Sequence, residues 1–111
     1  MKSYTDLEQS KKLAEFLSIE SADMRFCFSH TLGGRITGHY PMIGREPSLG
    51  NIPCWSLAAL LEIIRNNGRY ELQMYEGGYY FEANGFMTES YFNPIDACYE
   101  MIIRLHELNL L

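Results

Sequence analysis

Residues 69–92 read RYELQMYEGGYYFEANGFMTESYF, and two turn signals cut them into three short strands. Gly77-Gly78 separates 69–75 from 79–83, and Asn84-Gly85 separates 79–83 from 86–92. Asn-Gly between apolar runs is the strongest short hairpin signal, because both central residues of the tight turn need positive φ. Alternation sets Tyr70, Leu72 and Met74 toward a core with Phe81 and Ala83, leaving Glu71, Gln73, Tyr75, Tyr80 and Glu82 for the other face. A three-stranded meander with one apolar face has to be covered by something.

The covering elements flank it. Residues 56–66 form a helix whose Leu57, Leu60, Leu61 and Ile64 recur at helical spacing, with Asn67 or Gly68 supplying the left-handed residue at its end. Residues 94–109 form a second helix: Asn93 caps, Pro94 suits the first position and Asp96 meets the helix dipole. Ala97, Cys98, Met101, Leu105 and Leu108 make its buried stripe, with Tyr99 and Ile103 on the outer side. The matching stripes predict that both helices share one face of the sheet. Upstream, the capping-box spacing of Thr5 and Glu8 predicts a helix over 6–17. Residues 24–40 alternate loosely and read as a hairpin turning at Leu32-Gly33-Gly34. From 41 to 53, Pro41, Gly44, Pro47, Gly50 and Pro53 read as an irregular loop, the longest in the chain and the best place for an unrecognised site. The expected fold is therefore a single α+β domain: an N-terminal helix and hairpin, then helix, three-stranded antiparallel meander, helix.

With 111 residues, 14% of them aromatic, the chain is long enough for one real core. Cys27, Cys54 and Cys98 are odd in number and have no C-x-x-C spacing, which predicts free buried thiols in a reducing compartment. No apolar run follows a basic start and no window is long enough to span a bilayer, so a cytoplasmic location without membrane association is expected. The net charge of -5 opposes a phosphate backbone and counts against nucleic-acid binding.

No segment carries a reaction signature. His30, His39 and His106 are scattered without ligand spacing, so no metal is expected. Cys54 beside Trp55 at a helix start reads as an apolar anchor in preference to an activated thiol. Ser29-His30 and Ser48 lack the elbow and the acid of a hydrolase. The acidic and tyrosine-rich side of the meander stands out instead. Glu71, Glu82 and Glu89 are expected to share it with Tyr75, Tyr80 and Tyr91, and tyrosine supplies large contact area with a polar handle.

The order helix, three antiparallel strands, helix from Ser56 to Leu108 resembles the double-stranded-RNA-binding domain. That module needs lysines at the opening of its last helix, where this chain has Asn93, Pro94, Ile95 and Asp96. The segments YTDLEQSKKLA (4–14), ESADM (20–24), IPCWSLAALL (52–61) and NPIDAC (93–98) with LNLL (108–111) are similar to a large uncharacterised family of small proteins from gut bacterial genomes, often in prophages or mobile elements. That resemblance implies an origin and no chemistry.

The expectation is a non-enzymatic binding or regulatory protein without cofactors, acting through protein–protein contacts, with self-association as one form they could take and the oligomeric state left open. Its candidate partner surface is Tyr75, Tyr80, Glu82, Tyr91, Tyr99 and Ile103. A nucleic-acid-binding module is the alternative, and an enzyme using the 41–53 loop comes third.

Overall fold

The computed structural model describes residues 2–30, 36–43, 52–83 and 86–111. The chain runs α1 (Leu7–Ala14), a 3-10 turn (Ile19–Ser21), β1 (Met24–His30), β2 (Ile36–Ile43), β3 (Ile52–Cys54), α2 (Leu57–Asn66), β4 (Glu71–Tyr75), β5 (Gly78–Ala83), β6 (Phe86–Met87) and α3 (Pro94–Glu107). The fold is α+β, with two antiparallel three-stranded sheets ordered β2-β1-β3 and β4-β5-β6.

α3 forms where its start signals say. Asn93 Oδ1 accepts the Asp96 N–H at 2.9 Å, Asn93 Nδ2 donates to Asp96 Oδ2 at 2.8 Å, and Pro94 opens the first turn. Ile95, Ala97, Cys98, Met101, Ile102 and Leu105 are buried. Leu108, expected in this stripe, is instead 52% exposed. The helix stops at Glu107 because Asn109 takes a left-handed φ of 57°. The Leu110 N–H then reaches Leu105 O at 2.9 Å and the Asn109 N–H reaches His106 O at 3.0 Å. This is a Schellman ending with asparagine in the usual glycine position. α2 is capped by Ser56, whose Oγ accepts the Ala59 N–H, and Gly68 rather than Asn67 supplies the positive φ behind it.

The cap of α1 is one residue later than the spacing of Thr5 and Glu8 suggests. Asp6 Oδ1 accepts the Gln9 N–H at 2.8 Å, and Gln9 Oε1 accepts the Asp6 N–H at 3.1 Å. Thr5 is buried, and its hydroxyl accepts the Trp55 N–H at 3.1 Å. The regular helix ends at Ala14, short of Leu17, although Phe16 and Leu17 still pack on the core.

The irregular loop expected over 41–53 is corrected at both ends. β2 runs through Pro41 to Ile43, and Pro53 sits inside β3. Both strands lie at sheet edges, where a missing N–H is tolerated, so proline does not forbid a strand there. The remainder of that stretch, 44–51, and the Leu32-Gly33-Gly34 turn lie outside the described residues.

In the second sheet the register runs unbroken from Glu71↔Glu82 to Tyr75↔Gly78. The turn is Glu76-Gly77, one residue before the expected Gly77-Gly78; φ is 51° and 76°, both positive as a tight hairpin requires. Asn84-Gly85 lies outside the described residues, but Ala83↔Phe86 and Glu82↔Met87 flank it in antiparallel register. The third strand, expected to reach Phe92, is only Phe86–Met87. After it the Thr88 N–H bonds Phe81 O at 2.9 Å, yet Tyr79 pairs with Tyr91 rather than Ser90. The extra residue at Glu89-Ser90 is a β-bulge, which ends regular pairing.

α3 lies on β5 and β4, and α2 packs on α3. The two helices therefore do not share the sheet equally; α2 spends its stripe on α3. The main core joins these helices to Leu13, Ala22, Trp55 and Phe81. The molecule is elongated, 55 × 29 × 20 Å, with a radius of gyration of 15.2 Å, against about 13 Å for a compact chain this long.

Lys2 clips the N-terminal segment to α3, its Nζ lying 2.9 Å from Asp6 and 2.8 Å from Asp96, while Gln9 Nε2 donates to Asp96 at 2.8 Å. Burial opposes charge on all three ionic groups, but their bonds outweigh it. Asp6, bonded by the Gln9 N–H and by Lys2, is held below 3.8; so is Asp96, bonded by Lys2, Gln9 and Asn93. Lys2 is held above 10.5 by Asp96 and Asp6. Depressed carboxyls contribute stability above 3.8 that is lost as pH falls through their folded values; the raised lysine contributes below 10.5 and loses it as pH rises through its folded value. Lys2→Met is therefore expected to lower the melting temperature across the middle of the pH range. The deficit should close at either extreme, and melts at acidic, neutral and alkaline pH measure it.

Candidate partner-binding face

Strand alternation and the register sort the second sheet into two faces. Leu72, Tyr79 and Phe81 turn to the helices; Glu71, Gln73, Tyr75, Tyr80, Glu82, Met87 and Glu89 line the other side. On that side Tyr75, Tyr80, Met87, Thr88, Glu89 and Ser90 line a hollow of about 380 Å³. Its floor depends on the bulge. Ser90 swings over Gly78, where a β-carbon would meet the Ser90 hydroxyl and force that side chain to turn away. Tyr75 is 68% exposed and Tyr80 half-buried.

The candidate residues thus divide. Tyr75, Tyr80 and Glu82 share the open face as expected. Tyr91 does not: the bulge turns it to the helix side, where it pairs with Tyr79 and packs on the core. There it lines a second hollow of about 250 Å³ with Glu89 and, from α3, Glu100, Ile103, Arg104 and Glu107. Tyr99 and Ile103, expected on the outer side of the last helix, are both half-buried against the core. Ile103 lines the second hollow and Tyr99 lines neither. Met74 departs in the opposite sense. It alternates with the core residues but is 68% exposed at the turn end of β4.

The two hollows meet at Thr88 and Glu89. Burial, then Asp96, Glu107 and Glu89, raise the Glu100 carboxyl above 4.5. Burial, then Glu100, Glu89 and Asp96, raise the Tyr91 phenol above 10, with Arg104 opposing. Both hydroxyl groups are thereby kept as neutral hydrogen-bond donors over a wider range than usual. No cysteine lines either hollow. The Cys98 thiol is buried and pushed up to about 12, and burial also raises Cys54 despite its place beside a helix start. Cys54 Sγ donates to Thr5 O at 3.4 Å and serves as an anchor. Among the described residues no cluster of histidine, cysteine and acid is arranged to hold a metal, and no helix is long and apolar enough to cross a membrane.

Met87, Thr88 and Ser90 were not singled out by their sequence. Met87 and Thr88 reach the tyrosines through regular pairing with Glu82 and Phe81, whereas only the bulge brings Ser90 over Gly78, and a bulge has no composition signal here.

Fold and face together define an α+β protein with an aromatic, glutamate-bearing sheet face. No protein family, curated protein or solved structure matches the chain.

Proposed function

We propose that this chain is a small non-enzymatic binding protein that recognises a protein partner through the open face of the β4–β6 sheet. The observation that supports it is the hollow between Tyr75, Tyr80 and Met87, on the sheet face opposite α3. Aromatic side chains and methionine are the residue types that binding surfaces concentrate, and the phenols add polar handles without the entropy cost of long flexible chains. The glutamates around the hollow favour a partner with complementary basic groups. An origin in a mobile element is part of this proposal and rests on the segment resemblance alone.

Affinity capture from cells with the wild-type chain and Tyr80→Ala tests it. Tyr80→Ala should lose the captured proteins while melting within a few degrees of wild type. An identical captured set for both would remove the open face as the surface.

A nucleic-acid reading draws on one observation, the helix–three strands–helix order realised from α2 to α3. Its weakness is local: the first turn of α3 carries Asp96, already bonded to Lys2, where phosphate contacts would need free lysines. Retardation of duplex RNA that weakens steeply with salt would favour that reading over the first.

A further inference from the structure

The edges of the two sheets are treated differently. A free edge presents unpaired backbone groups, and proteins blunt such edges with proline, bulges or very short strands. β2 carries Pro41; β3 has three residues, one of them Pro53; β6 has two residues and then the Glu89-Ser90 bulge. β4 has none of these. Its five residues, ELQMY, contain no proline, glycine or lysine, and their pairing to β5 is unbroken. Among the described residues no strand lies beyond it.

Backbone parity fixes which groups that edge presents. In a strand, the N–H and C=O of one residue point to the same side, and the next residue's point to the other. Tyr79 exchanges both bonds with Tyr91, and Phe81 O accepts from Thr88, so these odd residues of β5 face β6. Tyr80 therefore faces β4, and its partner Gln73 bonds back, as do Glu71 and Tyr75 two residues to either side. The backbone groups of Leu72 and Met74 are left pointing outward.

Those groups suit a copy of themselves. From this parity and the residues beside it, we infer that β4 pairs antiparallel with β4 of a second copy about a two-fold axis at Gln73. In that register Leu72 and Met74 of one copy face Met74 and Leu72 of the other, and each such pair exchanges both backbone bonds. Gln73 meets Gln73 on the axis. Glu71 lies opposite Tyr75 of the second copy, so no two carboxylates face each other directly across the junction. The exposed thioether of Met74 gains Leu72 as a neighbour on the helix side, which supplies a reason for an apolar residue to stand 68% exposed at this edge. Such a contact is self-complementary and closes at two copies, as a two-fold interface must. It joins the two meanders into one continuous sheet and sets two Tyr75–Tyr80 hollows side by side. This pairing stands independently of what those hollows bind.

Light scattering on the full chain over a dilution series should return twice the 12.8 kDa chain mass at the concentrated end. Met74→Pro removes an outward donor that β5 does not use, and Met74→Lys places the charge that protects natural edges; each should halve the mass without changing the far-ultraviolet circular dichroism. If the proline variant loses its fold, the lysine variant decides. Tyr80→Ala should keep the doubled mass even where it abolishes partner capture, which separates this pairing from the open-face proposal. A wild-type chain of single mass throughout, or a folded Met74→Lys variant that keeps the doubled mass, would overturn the inference.

Discussion

Trp55→Ala is expected to lower stability by about 3–5 kcal/mol, the usual cost of deleting a large buried aromatic. A domain of this size has only roughly 5–15 kcal/mol in total, so much of the population should unfold under mild denaturant. Trp55 is 0% exposed and joins the two halves of the molecule, directly after β3 and just before α2. Its indole packs in the core with Leu13, Ala22 and the stripe of α3, and Nε1 donates to Ser21 Oγ at 3.0 Å. Its backbone is held as firmly: the N–H reaches Thr5 Oγ1, and the carbonyl accepts the Thr5 N–H at 2.9 Å. Alanine keeps the backbone bonds and leaves a cavity in the main core. Urea titration followed by circular dichroism measures the loss, because the chain has one tryptophan and the variant loses that fluorescence. A loss under about 1 kcal/mol would show that this junction is not packed as described.

Phe81→Ala is expected to cost a similar 3–5 kcal/mol and, unlike Trp55→Ala, to act on the candidate face. Phe81 is the one large side chain of the second sheet that is fully buried among the described residues. It fixes β5 against α3, its N–H donates to Thr88 Oγ1 at 2.9 Å, and its carbonyl accepts the Thr88 N–H. Tyr80 precedes it on the opposite face, and Thr88 leads into the bulge that places Ser90 over Gly78. Deleting the ring loosens the strand that carries Tyr80 and the segment that floors the hollow. Partner capture should therefore fall together with the melting temperature. Phe81→Leu keeps most of the volume, should cost less than about 2 kcal/mol, and should retain capture. Full capture by Phe81→Ala at a much reduced melting temperature would disconnect the face from its support.

Local chemistry made the second half of this chain readable. The Asn93-Pro94 opening and the period of Leu57, Leu60 and Ile64 act within one or two helical turns, and the structure follows them. Tyr80 and Phe81 alternate as their sequence implies. The misses have non-local causes. Pro41 and Pro53 read as breakers because nothing in the sequence says that β2 and β3 are edges. Asp6 displaced Thr5 as a cap because the Thr5 hydroxyl is engaged fifty residues away, at Trp55. Tyr91 left the open face through a one-residue bulge, and a slip of one residue exchanges the faces of a strand. Met74 obeys the alternation yet stays exposed, since α3 covers the sheet unevenly and only packing decides how far a helix reaches.

That last residue leads to the most direct test of the view that the second sheet is where this molecule meets others, through its open face and its unprotected edge. Residue-resolved amide hydrogen exchange along β4, at high and low protein concentration, reads the edge one backbone group at a time. Glu71, Gln73 and Tyr75 should be protected at both concentrations, being bonded to β5; Leu72 and Met74 should be slow in concentrated solution and fast on dilution. Fast exchange at Leu72 and Met74 under every condition, with the other three protected, would contradict it.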